Sequence, residues 1–116
     1  MLMSPVGKIY LASTFVDLRK SYQTLGMYVK SILKGNPLKG DFFVFYNRRH
    51  DLIKILYWQT NGFCLWQKRI EDSTFKIPKE LCELKLEITS YQLHGLIQGL
   101  DWKNQEEKSL NYRLVS

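Results

Sequence analysis

The sequence predicts an α+β fold: an antiparallel sheet built on a three-strand meander, with two main helices packed on one face. Three observations predict it. Apolar side chains recur at steps of three and four from Leu18 to Ile32, the period of one helix face. Dense aromatic and β-branched runs fill residues 41–46, 52–59 and 63–70, and short turn signals separate those runs. With 116 residues, of which 45% are hydrophobic and 14% aromatic, the chain has core material for one domain. Its core is expected over residues 8–102, with 103–116 a flexible tail or an edge strand.

The elements follow in order. Residues 8–12 hold Ile9, Tyr10 and Leu11 and read as a strand. Either Thr14 or Asp17 can cap the helix that follows, because a side-chain oxygen there accepts from a first-turn N–H that has no partner of its own. The helix is expected over residues 17–34, with Leu18, Tyr22, Leu25, Val29 and Ile32 on its core face. Gly35-Asn36-Pro37 ends it by offering a left-handed turn and then a residue without an N–H. The runs at 41–46 and 52–59 are too apolar to be half exposed along their length, so they belong at the sheet centre. Residues 47–51 join them in a loose hairpin. Asn61-Gly62 tolerates positive φ at both central positions of a tight turn, which makes 63–70 the antiparallel partner of 52–59. Residues 75–77 read as a short strand ended by Pro78. Residues 84–88 read as a further edge strand or, with Leu81, as a helical turn. Thr89 or Ser90 caps a second helix over 90–98, with Gln92 placed to close a capping box on Thr89. Leu93, Leu96, Ile97 and Leu100 form its buried stripe and Gly99 its C-terminal cap.

Charge gives the functional direction. The net charge is +6, but residues 1–70 carry eleven basic and three acidic side chains, whereas residues 71–116 carry six and eight. A field of that kind suits nucleic acid, an anionic membrane or an acidic protein. No stretch approaches the roughly 20 apolar residues of a membrane span, so a cytoplasmic chain without membrane contact is expected. Cys64, Cys82, His50 and His94 form no short metal-type spacing, and neither a metal, a cofactor nor a Cys64–Cys82 disulfide is expected. The sequence contains no Gly-rich phosphate loop, nucleophile elbow or His-Glu-x-x-His helix, which argues for a non-catalytic protein. A metal-dependent nuclease stays open only through Asp17, Asp41, Asp51 and Asp101, each of which has an ordinary turn or capping use.

The informative constellation is basic. Arg48, Arg49 and His50 occupy a hairpin tip where neither packing nor pairing requires them. Register counted from Asn61-Gly62 sets Gln59 opposite Cys64, Tyr57 opposite Trp66, Ile55 opposite Lys68 and Lys54 opposite Arg69. Like charges so placed cost about 0.2–1 kcal/mol, a cost that an intervening phosphate would remove. Tyr57, Trp58, Phe63 and Trp66 intersperse rings with these cations, as single-strand stacking platforms do, although rings in strands more commonly pack a core. Arg19-Lys20, in the first turn of the expected first helix, extends the cationic track.

These segments also resemble a known family. The run Tyr10-Leu11-Ala12, Asp17-Leu18-Arg19-Lys20-Ser21, Phe43-Val44-Phe45 with Arg48-Arg49 and Asp51, Lys54-Ile55-Leu56-Tyr57-Trp58, Gly62-Phe63-Cys64-Leu65, Lys68-Arg69-Ile70-Glu71 and Leu96-Ile97-Gln98-Gly99-Leu100-Asp101-Trp102 is similar to the accessory protein encoded by the second reading frame of IS66-type bacterial insertion sequences. That family is often labelled TnpB and is distinct from the RNA-guided nuclease sharing the label. The resemblance implies a transposition accessory factor whose transposase is a separate, larger protein. Its polar signature falls on Asp17, Arg19, Lys20, Arg48, Arg49, Asp51, Lys54, Lys68 and Arg69. Thr14 stands where the family usually has Gly, Leu52 where a second Arg is common, and Phe75-Lys76-Ile77-Pro78 matches the family's aromatic-Pro stretch only in part. The expectation is DNA binding through Arg19, Lys20, Arg48, Arg49, Lys54, Lys68 and Arg69, with an adaptor role toward the transposase as the alternative.

Overall fold

The computed structural model describes residues 7–19, 21–79 and 83–102. Its elements run β1 (Ile9–Ala12), α1 (Tyr22–Ser31), β2 (Phe42–Tyr46), β3 (Leu52–Gln59), β4 (Gly62–Arg69), β5 (Lys85–Ile88) and α2 (Ser90–Ile97). The strands form one sheet in the order β4-β3-β2-β1-β5. β2, β3 and β4 pair antiparallel in succession, and β5 pairs antiparallel with β1. β1 lies parallel to β2, so the sheet is mixed rather than wholly antiparallel as expected, and α1 sits in the connection between them. Lys20, Leu81, Cys82 and the expected tail or strand at 103–116 lie outside the described residues.

The two helices cover opposite faces of the sheet, which corrects the expectation that both pack on one. Leu25 and Val29 of α1 join Ala12, Phe43, Phe45 and Leu56 in one core cluster. Leu93 and Leu96 of α2 join Ile9, Leu11, Phe42, Val44, Tyr46, Ile53 and Ile55 in the other. β2 gives the reason. All five of its residues are buried, and a central strand with no solvated side needs cover above and below. Phe75 and Trp102 complete the α2-side cluster. No strand forms at 75–77; Phe75 is instead drawn beneath the sheet, its N–H donating to the His50 carbonyl at 2.7 Å.

α1 begins later than expected. Its cap is Ser21, whose side chain accepts from the Thr24 N–H, and neither Thr14 nor Asp17 holds that place. The intervening segment is held elsewhere: the Val16 N–H donates to the Tyr46 carbonyl at 3.1 Å, and Leu18 is buried. The helix stops at Ser31, with Lys34 rather than Gly35 in the left-handed region (φ 57°). Consequently Leu33 is buried, while Tyr22 and Ile32 stay partly exposed. α2 follows expectation more closely. Thr89 caps it, and the Thr89 N–H to Gln92 Oε1 (2.9 Å) and Gln92 N–H to Thr89 Oγ1 (3.1 Å) bonds close the box. Gly99 adopts φ 77° just beyond its end, although Leu100 is exposed rather than buried.

The β3–β4 register differs by two residues from the one counted on Asn61-Gly62. Gln59 faces Gly62, which leaves Thr60-Asn61 as the loop, with positive φ at Thr60 (54°). An even shift keeps every side chain on its face but changes its neighbour. Ile55 now faces Trp66, Leu56 faces Leu65, and Lys54 faces Gln67 rather than Arg69. The observed register pairs apolar with apolar at Ile55–Trp66 and Leu56–Leu65 and avoids the like-charge pair that the other would have imposed.

Candidate nucleic-acid interface

Three chain segments meet at the end of the sheet where β2 turns into β3. They are the β1–α1 connection, the β2–β3 hairpin tip and the C-terminal end of β4. Between them lies an open cleft of about 440 Å³, lined by residues 15–19 and 47–49, Leu52 and Arg69.

Each segment is fixed by specific bonds. The β1–α1 connection is pinned by the Val16 bond to Tyr46 and by Lys54, whose Nζ donates to the Leu18 carbonyl. Asn47 builds the tip. Its Oδ1 accepts from the Asp51 and Leu52 N–H groups, both at 3.1 Å, and its Nδ2 donates to Asp51 Oδ1 at 2.6 Å. This closed ring of bonds lets His50 take a left-handed φ of 60° and projects Arg48 and Arg49 into solvent. Arg69 reaches back from β4 to Asp51, Nη1 to Oδ2 at 3.3 Å.

The cleft therefore collects Arg19, Arg48, Arg49 and Arg69. Arg19 forks onto Asp17, Nε to Oδ1 at 3.0 Å and Nη2 to Oδ2 at 2.9 Å. The guanidinium of Arg48 lies 5.6 Å from the centre of the Phe15 ring. No carboxylate among the described residues comes within ion-pair distance of Arg48 or Arg49. Hydrogen bonding from Asn47 holds the Asp51 carboxyl below its ordinary value; the charges of Arg69 and Arg49 add to this, against a partly opposing effect of burial. Four guanidinium groups thus face two carboxylates, leaving the cleft positive.

Of the other expected site residues, Lys20 lies outside the described residues, and Lys54 and Lys68 do not join the four arginines. Lys54 is on the same face, but its ammonium is engaged by Leu18. Lys68 points to the other face, where Nζ donates to the Ile97 carbonyl at 3.0 Å and meets the negative end of α2. The expected ring platform is dispersed. Tyr57 stacks on Phe42 (4.5 Å between centroids) on the α2 side, while Trp58 packs edge-on against Phe63 (5.1 Å) on the α1 side. Phe15, the aromatic that does line the cleft, was missed; its signal was an aromatic outside the apolar stripe of the first helix.

Of the carboxylates weighed as metal ligands, Asp41 is buried and accepts from the Lys8 N–H at 2.8 Å. Among the described residues no three His, Cys, Asp or Glu side chains gather as a metal site. No described helix is long and apolar enough to cross a membrane.

Fold and site together define a small α+β protein with an arginine-lined cleft at one end of a mixed sheet. The family model described as IS66 Orf2 like protein matches residues 7–107, and the chain belongs to that family, which places it with the accessory proteins of insertion-sequence transposition. It is similar to two uncharacterized proteins of Sinorhizobium fredii. The first, y4hO, is 32% identical over 108 residues, covering 90% of this chain and 93% of the relative. The second, y4jC, is 32% identical over 101 residues, covering 87% and 86%. No solved structure matches the chain.

Proposed function

We propose that the protein is a non-catalytic accessory factor that binds DNA during transposition, through Arg19, Arg48, Arg49 and Arg69. The observation that carries this reading is the convergence of four guanidinium groups from three segments on one cleft. Guanidinium forks meet phosphate oxygens two at a time, and each phosphate neutralised releases condensed counterions. Binding followed by fluorescence anisotropy across a salt series tests it. Arg48→Gln and Arg49→Gln should each lower the slope of log affinity against log salt by about 1 on duplex DNA, or about 0.7 on a single strand. Lys68→Gln, on the opposite face, should leave the slope unchanged. Equal slopes for all three variants would reject the assignment.

A second reading, an adaptor for the separate transposase, is favoured by one observation. An apolar groove of about 730 Å³ runs between α1 and residues 35–38, floored by Gly26 and Phe63 and flanked by Met27 (71% exposed) and Leu38 (56%). Lys30 stands at its rim, Lys34 and Lys39 follow, and no acidic residue occurs between Asp17 and Asp41. The groove therefore suits an acidic segment with apolar anchors. Gel filtration with the cognate transposase alone, and then with DNA alone, separates the two readings.

A further inference from the structure

We infer that the cleft takes single-stranded DNA, an unpaired nucleotide entering beside Phe15 with its backbone along Arg48 and Arg49. This rests on the DNA-binding reading and narrows its ligand.

Three observations carry it. The first is the choice of cation. Four of the five arginines in the sequence line this cleft, whereas none of the lysines described by the structure does, although the sequence holds twelve lysines. A general phosphate track is served as well by lysine. A planar guanidinium adds a face that stacks on rings and a fork that fixes direction.

The second is the ring. Phe15 is 46% exposed and already carries the Arg48 guanidinium over its face. Exposed apolar rings beside arginines are the working parts of single-strand sites, because every unpaired base offers a π-face to such a stack. A base held in duplex has that face covered by its neighbours.

The third is shape. Duplex DNA is read by a helix or ribbon that enters a groove while cations flank it. Here α1 carries a single Lys or Arg, Lys30, and α2 carries none. The cations instead rim an open cleft of about 440 Å³, with the Arg19 side chain 92% exposed and Arg48 and Arg49 in solvent. One strand, free to splay its base, can lay that base against Phe15 in the cleft while its phosphates meet the cationic rim; a duplex keeps its bases stacked inside.

The test is anisotropy at physiological salt with a labelled oligothymidine, a blunt duplex of the same length, and that duplex carrying a single-stranded overhang. The oligothymidine and the overhang should bind about tenfold or more tighter than the blunt duplex. Phe15→Leu should weaken oligothymidine binding by about 5- to 150-fold, the range for loss of one stacked base, with the salt slope unchanged. Phe15→Tyr, which keeps the ring, should restore it. Blunt duplex bound as tightly as the single strand would overturn this inference and leave DNA binding standing. Wild-type oligothymidine affinity in a folded Phe15→Leu protein would also overturn it. Binding of none of the three probes would overturn DNA binding itself.

Discussion

Asn47 shows how one neutral side chain can set up a charged site. Its amide satisfies two N–H groups of the hairpin tip and one carboxylate oxygen, so Arg48 and Arg49 project from backbone that is already ordered. The same bonds determine how Asp51 titrates. Its carboxyl is held low in the folded protein, so its contribution to stability is complete above the unfolded carboxylate value of about 3.9 and is lost as pH falls through the lower folded value. Asp51→Asn should therefore flatten the loss of stability below about pH 4, measured as denaturant midpoints at a series of acid pH values. A variant with an unchanged acid limb would show that Asp51 does not carry it. Parity separates the two lysines expected to act together. Lys54 faces Gln67, its neighbour Ile53 faces Lys68, and alternate residues of a strand point to opposite sides. Their separation was already legible in the sequence, since the register counted on Asn61-Gly62 sets Ile55 rather than Lys54 opposite Lys68 and an even shift preserves faces.

The elements themselves were largely readable, because their signals are local. The Thr89–Gln92 box and the apolar run of β3 each appear where spacing and composition place them. The start of α1 was not readable, because the residues ahead of it are held by Tyr46 and Lys54, far along the chain. Nor was the parallel β1–β2 pairing, which no turn signal announces. The opposite placement of the helices was implicit in the five-residue apolar run of β2, since alternate rings on both sides of a strand need two covers. Two glycines show how tightly α1 and its exit pack. A Cβ on Gly35 would lie 2.9 Å from Phe43 Cζ and 3.2 Å from Val29 Cγ1, whereas one on Gly26 would meet only Phe63 Cζ, at 3.7 Å. Gly35→Ala should cost about 1–3 kcal/mol by overpacking. Gly26→Ala, within the helix, should stabilise by about 0.5–1 kcal/mol through reduced backbone freedom in the unfolded chain. Chemical denaturation of both variants checks the opposite signs.

Over the whole molecule, the cationic first 70 residues were a correct pointer to where charge accumulates, yet composition alone could not say that the arginines gather while lysines such as Lys54 and Lys68 hold the fold. The sheet order has a consequence for assembly. β2, β3 and β4 zip through loops of five and two residues, but β1 must find β2 across 33 positions and β5 across 79. Closing such long loops carries the larger entropy cost, so β1 is a late arrival. The meander brings Arg48, Arg49 and Arg69; only the docking of β1 brings Phe15 and Arg19. A molecule gripped by the finished cleft consequently clamps the amino-terminal strand as well. Saturating oligonucleotide should slow amide hydrogen exchange at Ile9 and Leu11 more than at Ile55, and equal slowing would mean that the grip ends at the hairpin.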